Sequence, residues 1–161
     1  MMSEISTITR SPGETMILAE KLAGYMRPGD LIALSGDLGA GKTVFVKGLA
    51  KGLGVSEYNY VNSPSFVVVK EYAGTMPLYH FDVYRLDSKL FCETLDYEKY
   101  FYSEGVTAVE WAEKIRETLP EEYVDVFIGY GTGPEERVVK IVSVGPRGEH
   151  VLGEMEGESI V

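Results

Sequence analysis

Apolar positions along the chain fall into short blocks whose period switches between that of a strand and that of a helix. Ser3 to Arg10 alternates weakly and reads as a first strand. From Gly13 to Met26 the apolar residues Met16, Ala19, Leu22, Ala23 and Met26 recur at helical spacing. Pro28-Gly29-Asp30 is a turn, and Leu31-Ile32-Ala33-Leu34 is the continuous apolar run expected of a parallel strand covered on both faces. A glycine-rich loop follows, then a helix from about Lys42 to Leu53 with Gly54 as its C-terminal cap. Beyond the polar loop Ser56 to Pro64, Ser65 to Tyr72 and Leu78 to Tyr84 are rich in Val, Tyr and Phe and read as a hairpin. Asp87 to Ser103 reads as broken helix, Val106 to Val109 as a buried strand, and Ala112 to Leu119 as a helix ended by Pro120. Tyr123 to Tyr130 and Arg137 to Val144 flank Gly131-Thr132-Gly133-Pro134 and read as a second hairpin. Gly145 to Val161 has little pattern and is expected as a mobile acidic tail.

This order predicts an α/β domain whose sheet is partly parallel and partly antiparallel. A length of 161 residues and a hydrophobic share of 45% fit a single domain with one core. No apolar run approaches the roughly 20 residues that span a bilayer, and Met1 to Thr9 lacks the basic-then-apolar order of a secretory leader. The single Cys92 excludes an intrachain disulfide and is expected as inert packing, so a reducing cytoplasm is the expected setting. The net charge of −10 opposes a nucleic-acid backbone. Any role in an RNA pathway is therefore expected to run through protein partners. The acidity is spread along the chain and is enriched only in the tail, at Glu149, Glu154, Glu156 and Glu158.

Gly36-Asp37-Leu38-Gly39-Ala40-Gly41-Lys42-Thr43 fits G-x-x-x-x-G-K-[ST]. Its glycines let successive N–H groups turn toward phosphate oxygens, and the helix beginning near Lys42 points its positive end at the same anion. Lys42 can reach the β- and γ-phosphates, and the Thr43 hydroxyl can ligate Mg²⁺. The bare pattern arises by chance in roughly one chain in 200 of this size. The apolar strand before it and the amphipathic helix after it favour a phosphate loop over an ordinary glycine turn. Candidate nucleotide contacts are Asp37, Leu38, Gly39, Ala40, Gly41, Lys42, Thr43 and Val44. The expected fold is thus a P-loop NTPase-like three-layer sandwich with a mixed parallel/antiparallel central sheet.

Three further stretches follow in order: Asn62-Ser63-Pro64-Ser65-Phe66, Tyr79-His80-Phe81-Asp82-Val83-Tyr84-Arg85-Leu86, and Val109-Glu110-Trp111. Together with the glycine loop they resemble the bacterial TsaE (YjeE) ATPases, which take part in the threonylcarbamoyl modification of the tRNA adenosine next to the anticodon. The resemblance covers about Gly13 to Val144. Asn62-Ser63-Pro64-Ser65 lies where a segment sensing the γ-phosphate must lie, and it also fits an ordinary turn. The family pattern is similar to Thr-Ser-Pro-Thr; Ser65 keeps the hydroxyl, and Asn62 does not. Asp82 alternates with His80 and Tyr84 on one strand face, while Phe81 and Val83 take the other and belong to the core. Asp82 and Glu110, the latter at the carboxyl end of a strand, are placed to hold Mg²⁺ or its waters. His80 reads first as a buried, hydrogen-bonded histidine, and Arg85 equally as a phosphate contact or an acid's partner. Trp111 reads as core by its size; the resemblance implies the nucleotide or partner surface. It also implies ATP and Mg²⁺ as ligands, adenine contacts near Thr15 and Arg137, slow ATP hydrolysis by the isolated chain, and the TsaB and TsaD proteins as partners.

The residues expected at the chemistry are Lys42, Ser65, Asp82 and Glu110, with Thr43, Asp82 and Glu110 toward the metal. A small-molecule kinase is the first rival, although Arg85, Arg116, Arg137 and Arg147 do not cluster in sequence. A GTPase is the second, against which stands the missing Asn-Lys-x-Asp. A non-enzymatic assembly factor is the third.

Overall fold

The computed structural model describes residues 3–156. Its sheet has seven strands: β1 (Glu4–Thr9), β2 (Leu31–Ser35), β3 (Val69–Tyr72), β4 (Leu78–Asp82), β5 (Val106–Glu110), β6 (Tyr123–Tyr130) and β7 (Arg137–Val144). Their spatial order is β1-β7-β6-β2-β5-β4-β3. The centre is parallel, with β2 between β5 and β6 and β4 beyond β5. The flanks are antiparallel: β6 with β7, β7 with β1, and β4 with β3. Helices α1 (Pro12–Ala23), α2 (Lys42–Gly52) and α5 (Pro146–Glu156) cover one face; α3 (Ser88–Thr94), α4 (Glu98–Phe101) and a 3-10 segment, Ala112–Thr118, cover the other. The expected three-layer α/β sandwich with a mixed sheet is what forms.

The central strand explains its own sequence. Ile32 and Leu34 enter the core under α1 and α2, while Leu31 and Ala33 enter the core on the opposite face. A strand covered on both faces has no place for alternation, so its apolar run is unbroken. Helix α1 starts one residue before the expected point. Pro12 occupies its first turn, and the N-cap Ser11 hydroxyl accepts a hydrogen bond from Glu14 N–H at 3.2 Å. Gly48 and Gly52 let α2 approach α1 closely, since a Cβ at these positions would lie 2.6 Å from the Cβ atoms of Ala19 and Ala23 respectively.

Four expectations change. Within Ser65 to Tyr72 only Val69–Tyr72 is strand. Pro64 carbonyl accepts from Val68 N–H at 2.7 Å, and Val68 has φ 72°, a left-handed conformation that a β-branched residue adopts only under constraint. Ala112 to Leu119 is a kinked 3-10 segment rather than an α-helix, with Ile115 at φ −128°. Cys92 is exposed on α3 instead of packed.

The fourth change concerns the acidic C-terminal segment. Pro146–Glu156 is helix α5, not patternless chain; residues 157–161, the rest of the expected tail, lie outside the described residues. Val151, Leu152 and Met155 share one buried face, yet two glycines and the surrounding acids mask that spacing in the sequence. Gly148 has a contact reason: a Cβ there would sit 2.9 Å from the Ser143 Cβ on β7. Arg147 ties the helix down, donating from Nε and an Nη atom to the two oxygens of Asp30 at 3.2 and 3.0 Å. Among the described residues no helix is long and apolar enough to cross a membrane.

Because Leu152 is fully buried, Leu152→Ala is expected to cost about 2–5 kcal/mol in urea denaturation. A loss below about 0.5 kcal/mol, the range of an ordinary surface substitution, would mean that α5 is not part of the core.

Candidate functional site

Parallel strands bring their carboxyl ends to one edge of a sheet, and the chemistry-bearing residues gather there. β2 runs into the glycine loop at that edge. Gly36 has φ 140°, and a Cβ on it would meet the Ile128 carbonyl oxygen at 2.2 Å, so both conformation and space demand glycine. Gly41, at φ 113°, is the N-cap of α2, and the next two residues are Lys42 and Thr43. Lys42 is 4% exposed; its Nζ donates to the carbonyls of Gly36 at 2.5 Å and Asp37 at 3.0 Å. The ammonium also lies 3.8 Å from the Trp111 ring centroid. Burial lowers the Lys42 pKa, against the opposing charges of Glu110, Glu113, Asp82 and Asp37.

Glu110 ends β5 and is 3% exposed. Its carboxylate accepts from the Thr43 hydroxyl, which is 3.1 and 3.0 Å from the two oxygens, and pairs with His80 Nε2 at 2.5 Å. His80 is fully buried, and its Nδ1 has no hydrogen-bond partner. Asp82 ends β4 directly opposite Glu110 in the parallel register. One of its oxygens accepts from the Ser63 hydroxyl and the other from Tyr84 N–H at 2.9 Å. Trp111 turns the chain out of β5 at φ 65° and packs its ring 4.8 Å from that of Tyr84.

A cleft of about 360 Å³ brings Leu38, Gly39, Gly41, Lys42, Thr43 and Val44 together with Ser63, Ser65, Asp82, Tyr84, Glu110 and Trp111. A second cleft of about 250 Å³ shares Gly39, Gly41 and Val44 with the first and adds Ala40, Thr15, Arg137, Pro12 and Glu135. The two run on from each other along the loop. Asp37 lies apart from both: its side chain is exposed, and its carbonyl serves Lys42. Arg85 also stands outside, with its guanidinium 4.3 Å over the Phe66 ring.

Among the described residues no three of His, Cys, Asp and Glu form a metal cluster. The donors that do converge are a threonine hydroxyl and two carboxylates. An all-oxygen set of this kind suits a small hard cation that keeps part of its water shell.

A family model described as threonylcarbamoyl adenosine biosynthesis protein TsaE matches residues 9–138. The chain belongs to the TsaE family. A Bacillus subtilis protein named tRNA threonylcarbamoyladenosine biosynthesis protein TsaE is 43% identical over 155 residues, covering 96% of this chain and 95% of that one. A Haemophilus influenzae protein of the same name is 33% identical over 124 residues, covering 76% of this chain and 75% of that one. The crystal structure of Bacillus subtilis YdiB superposes with a TM-score of 0.80 at 39% identity and covers 97% of this chain and 96% of that one. Membership thus connects the chain with tRNA threonylcarbamoyladenosine biosynthesis.

In this TsaE chain the sequence reading placed the loop hydroxyl on Ser65 and missed the one that holds Asp82, Ser63. Both line the cleft, and residue type alone could not rank them. His80 was legible as a buried histidine, and its alternation with Asp82 gave its face; its partner, 30 residues away, was not. His80→Leu keeps the bulk but withdraws Nε2 from a buried carboxylate. It is expected to lose about 1–3 kcal/mol in urea denaturation, whereas Ser63→Ala, at an exposed residue, loses less than about 1 kcal/mol. Equal losses would show that Glu110 is satisfied without the imidazole.

Proposed function

We propose that the chain is a Mg²⁺-dependent ATP-binding protein and ATPase that acts on the TsaB–TsaD complex in forming the threonylcarbamoyl modification of tRNA adenosine. The observation that carries this reading is the convergence of Lys42 and Thr43 of the glycine loop with Asp82 and Glu110 of the neighbouring strands in one cleft. The cleft next to it, beside Thr15 and Arg137, offers room for the base.

Charge supports the metal. In the first cleft one ammonium, Lys42, faces the carboxylates Asp82 and Glu110, so a bare polyphosphate would meet net repulsion. A bound Mg²⁺ supplies positive charge to the phosphates and to the charge developing in transfer. Thr43, Asp82 and Glu110 would hold it or its waters. Backbone N–H groups of Gly39, Gly41, Lys42 and Thr43 and the Lys42 ammonium would receive the phosphate oxygens, Lys42 exchanging its present carbonyl partners for them. The attacking water would be oriented by Ser65, Asp82 or Glu110, all three of which line this cleft. His80 holds Glu110 in place, while Ser63 and Tyr84 N–H hold Asp82, so these carboxylates are aimed before any ligand arrives.

A metabolite kinase finds no arginine cluster: Arg85 lies on Phe66, Arg116 pairs with Asp125 at 3.7 Å, Arg147 is committed to Asp30, and Arg137 alone lines a cleft, the second one. Partnership with TsaB and TsaD rests on pathway membership and on an acidic surface suited to a basic protein patch. A reducing cytoplasmic setting suits the free Cys92.

Lys42→Ala is expected to abolish ATP turnover while its circular dichroism spectrum stays that of the wild type; turnover at the wild-type rate would remove the loop from the chemistry. Thr43→Ala and Glu110→Gln are each expected to raise the Mg²⁺ midpoint of activity about tenfold or more. An unchanged midpoint in Glu110→Gln would take Glu110 out of the metal site. In a fluorescence-anisotropy titration at about 0.15 M salt the chain alone should show no saturable tRNA binding, which should appear once TsaB and TsaD are added. Submicromolar binding by the isolated chain would put it in direct contact with the RNA.

A further inference from the structure

The outer wall of the glycine loop makes contacts that the proposed chemistry does not use. Tyr130 closes β6 and Arg137 opens β7, and the two are paired in register across the mouth of their hairpin. That mouth lies against the loop. The Tyr130 hydroxyl donates to the Leu38 carbonyl at 2.6 Å, and Arg137 Nε donates to the Ala40 carbonyl at 2.8 Å. The guanidinium carbon sits 4.7 Å from the Tyr130 ring centroid, so each side chain steadies the other. One Nη atom of Arg137 donates to the carbonyls of Pro134 at 3.1 Å and Glu136 at 2.9 Å, which leaves two of its three nitrogens already engaged. A Cβ on Gly39 would lie 3.1 Å from the Tyr130 hydroxyl oxygen.

Peptide planarity gives these contacts a consequence. In a trans peptide the carbonyl of one residue and the N–H of the next point in opposite directions, so fixing one aims the other. Holding the Leu38 carbonyl outward aims Gly39 N–H inward, and holding the Ala40 carbonyl outward aims Gly41 N–H inward. Gly39 and Gly41 both line the first cleft, and glycine backbones rotate more freely than any other. Without outer partners these two peptides could flip and turn carbonyl oxygens toward the anion.

We propose that Tyr130 and Arg137 are positioning residues that preset the phosphate-binding amides of Gly39 and Gly41 by bracing the loop from outside, and that Arg137 acts through the loop rather than on the base. This rests on the reading of the first cleft as a polyphosphate site. It assigns to Arg137 a different role from the adenine contact suggested by the family resemblance.

The test compares Tyr130→Phe, which removes one hydroxyl, and Arg137→Lys, which keeps the charge but loses the Nε donor and the flat stack. Calorimetric titrations use Mg²⁺-ATP and Mg²⁺-tripolyphosphate, the second having no base. Each variant is expected to lose affinity about threefold to tenfold, the worth of the one hydrogen bond each removes from the loop, and equally for both ligands. Both variants should stay folded, with a cooperative urea transition like that of the wild type. A loss for ATP alone in Arg137→Lys would overturn the proposal in favour of base recognition; no loss for either ligand would overturn the brace itself. If neither ligand binds the wild type, the polyphosphate reading fails, and the brace is decided by hydrogen exchange in the unliganded chain. The Ala40 amide, bonded to the Asp37 carbonyl at 3.1 Å, should then exchange about threefold or more faster in both variants, with α1 amides unchanged. Unchanged Ala40 exchange would overturn the proposal.

Discussion

Glu110 is a carboxylate placed where a strand of four otherwise apolar or hydroxyl-bearing buried residues ends, and it is itself almost wholly buried. A charge taken out of water at such a position is tolerated only when its lone pairs are met. Each partner comes from a different element: Thr43 from the first turn of α2 and His80 from β4. Meeting that one carboxylate therefore fixes the glycine-loop helix against two strands of the sheet. Asp82 follows from the same constraint, because the register that brings His80 beside β5 sets Asp82 opposite Glu110. Lys42 then lies within a field of carboxylates that opposes, without cancelling, the effect of its burial.

The segment from Ser63 to Val68 is shaped by the same edge. Ser63 donates to Asp82, Val68 carbonyl accepts from Asp82 N–H at 2.9 Å, and Pro64 carbonyl takes Val68 N–H. Three bonds within six residues leave no room for extended backbone, and Val68 is forced to a positive φ. Strain stored beside a cleft is common where a segment must hold one of two arrangements. Phe66, 82% exposed under the Arg85 guanidinium, stands on the outside of that strained turn.

Much of the fold was legible because its signals are local. The unbroken run of β2, the helical spacing of α1, and the Gly131-Thr132-Gly133-Pro134 turn between β6 and β7 each report the environment of their own residues. The phosphate loop was legible for the same reason, since G-x-x-x-x-G-K-[ST] states backbone needs position by position. Helix α5 was not, because its large buried side chains number only three, Val151, Leu152 and Met155, and the reason for Gly148, close approach to Ser143 on β7, shows only once the helix is packed. Ser65 to Val68 failed as strand because its tie to Asp82 overrode β propensity.

Alone, then, the sequence determined which residues are chemically able to serve: an ammonium and a hydroxyl at the head of a helix, two carboxylates at strand ends, and a histidine in phase with one of them. Residue type and short-range spacing carry that information because rotamer, period and backbone preference are properties of a few consecutive residues. The tertiary structure decided the pairings: Glu110 with His80 and Thr43, Asp82 with Ser63 rather than Ser65, and Arg137 with the Ala40 carbonyl. Each of these joins groups 19 to 97 residues apart. A hydrogen bond forms only within about 3 Å. Strand order and register alone bring such distant positions that close, and neither is written in any single stretch of the chain.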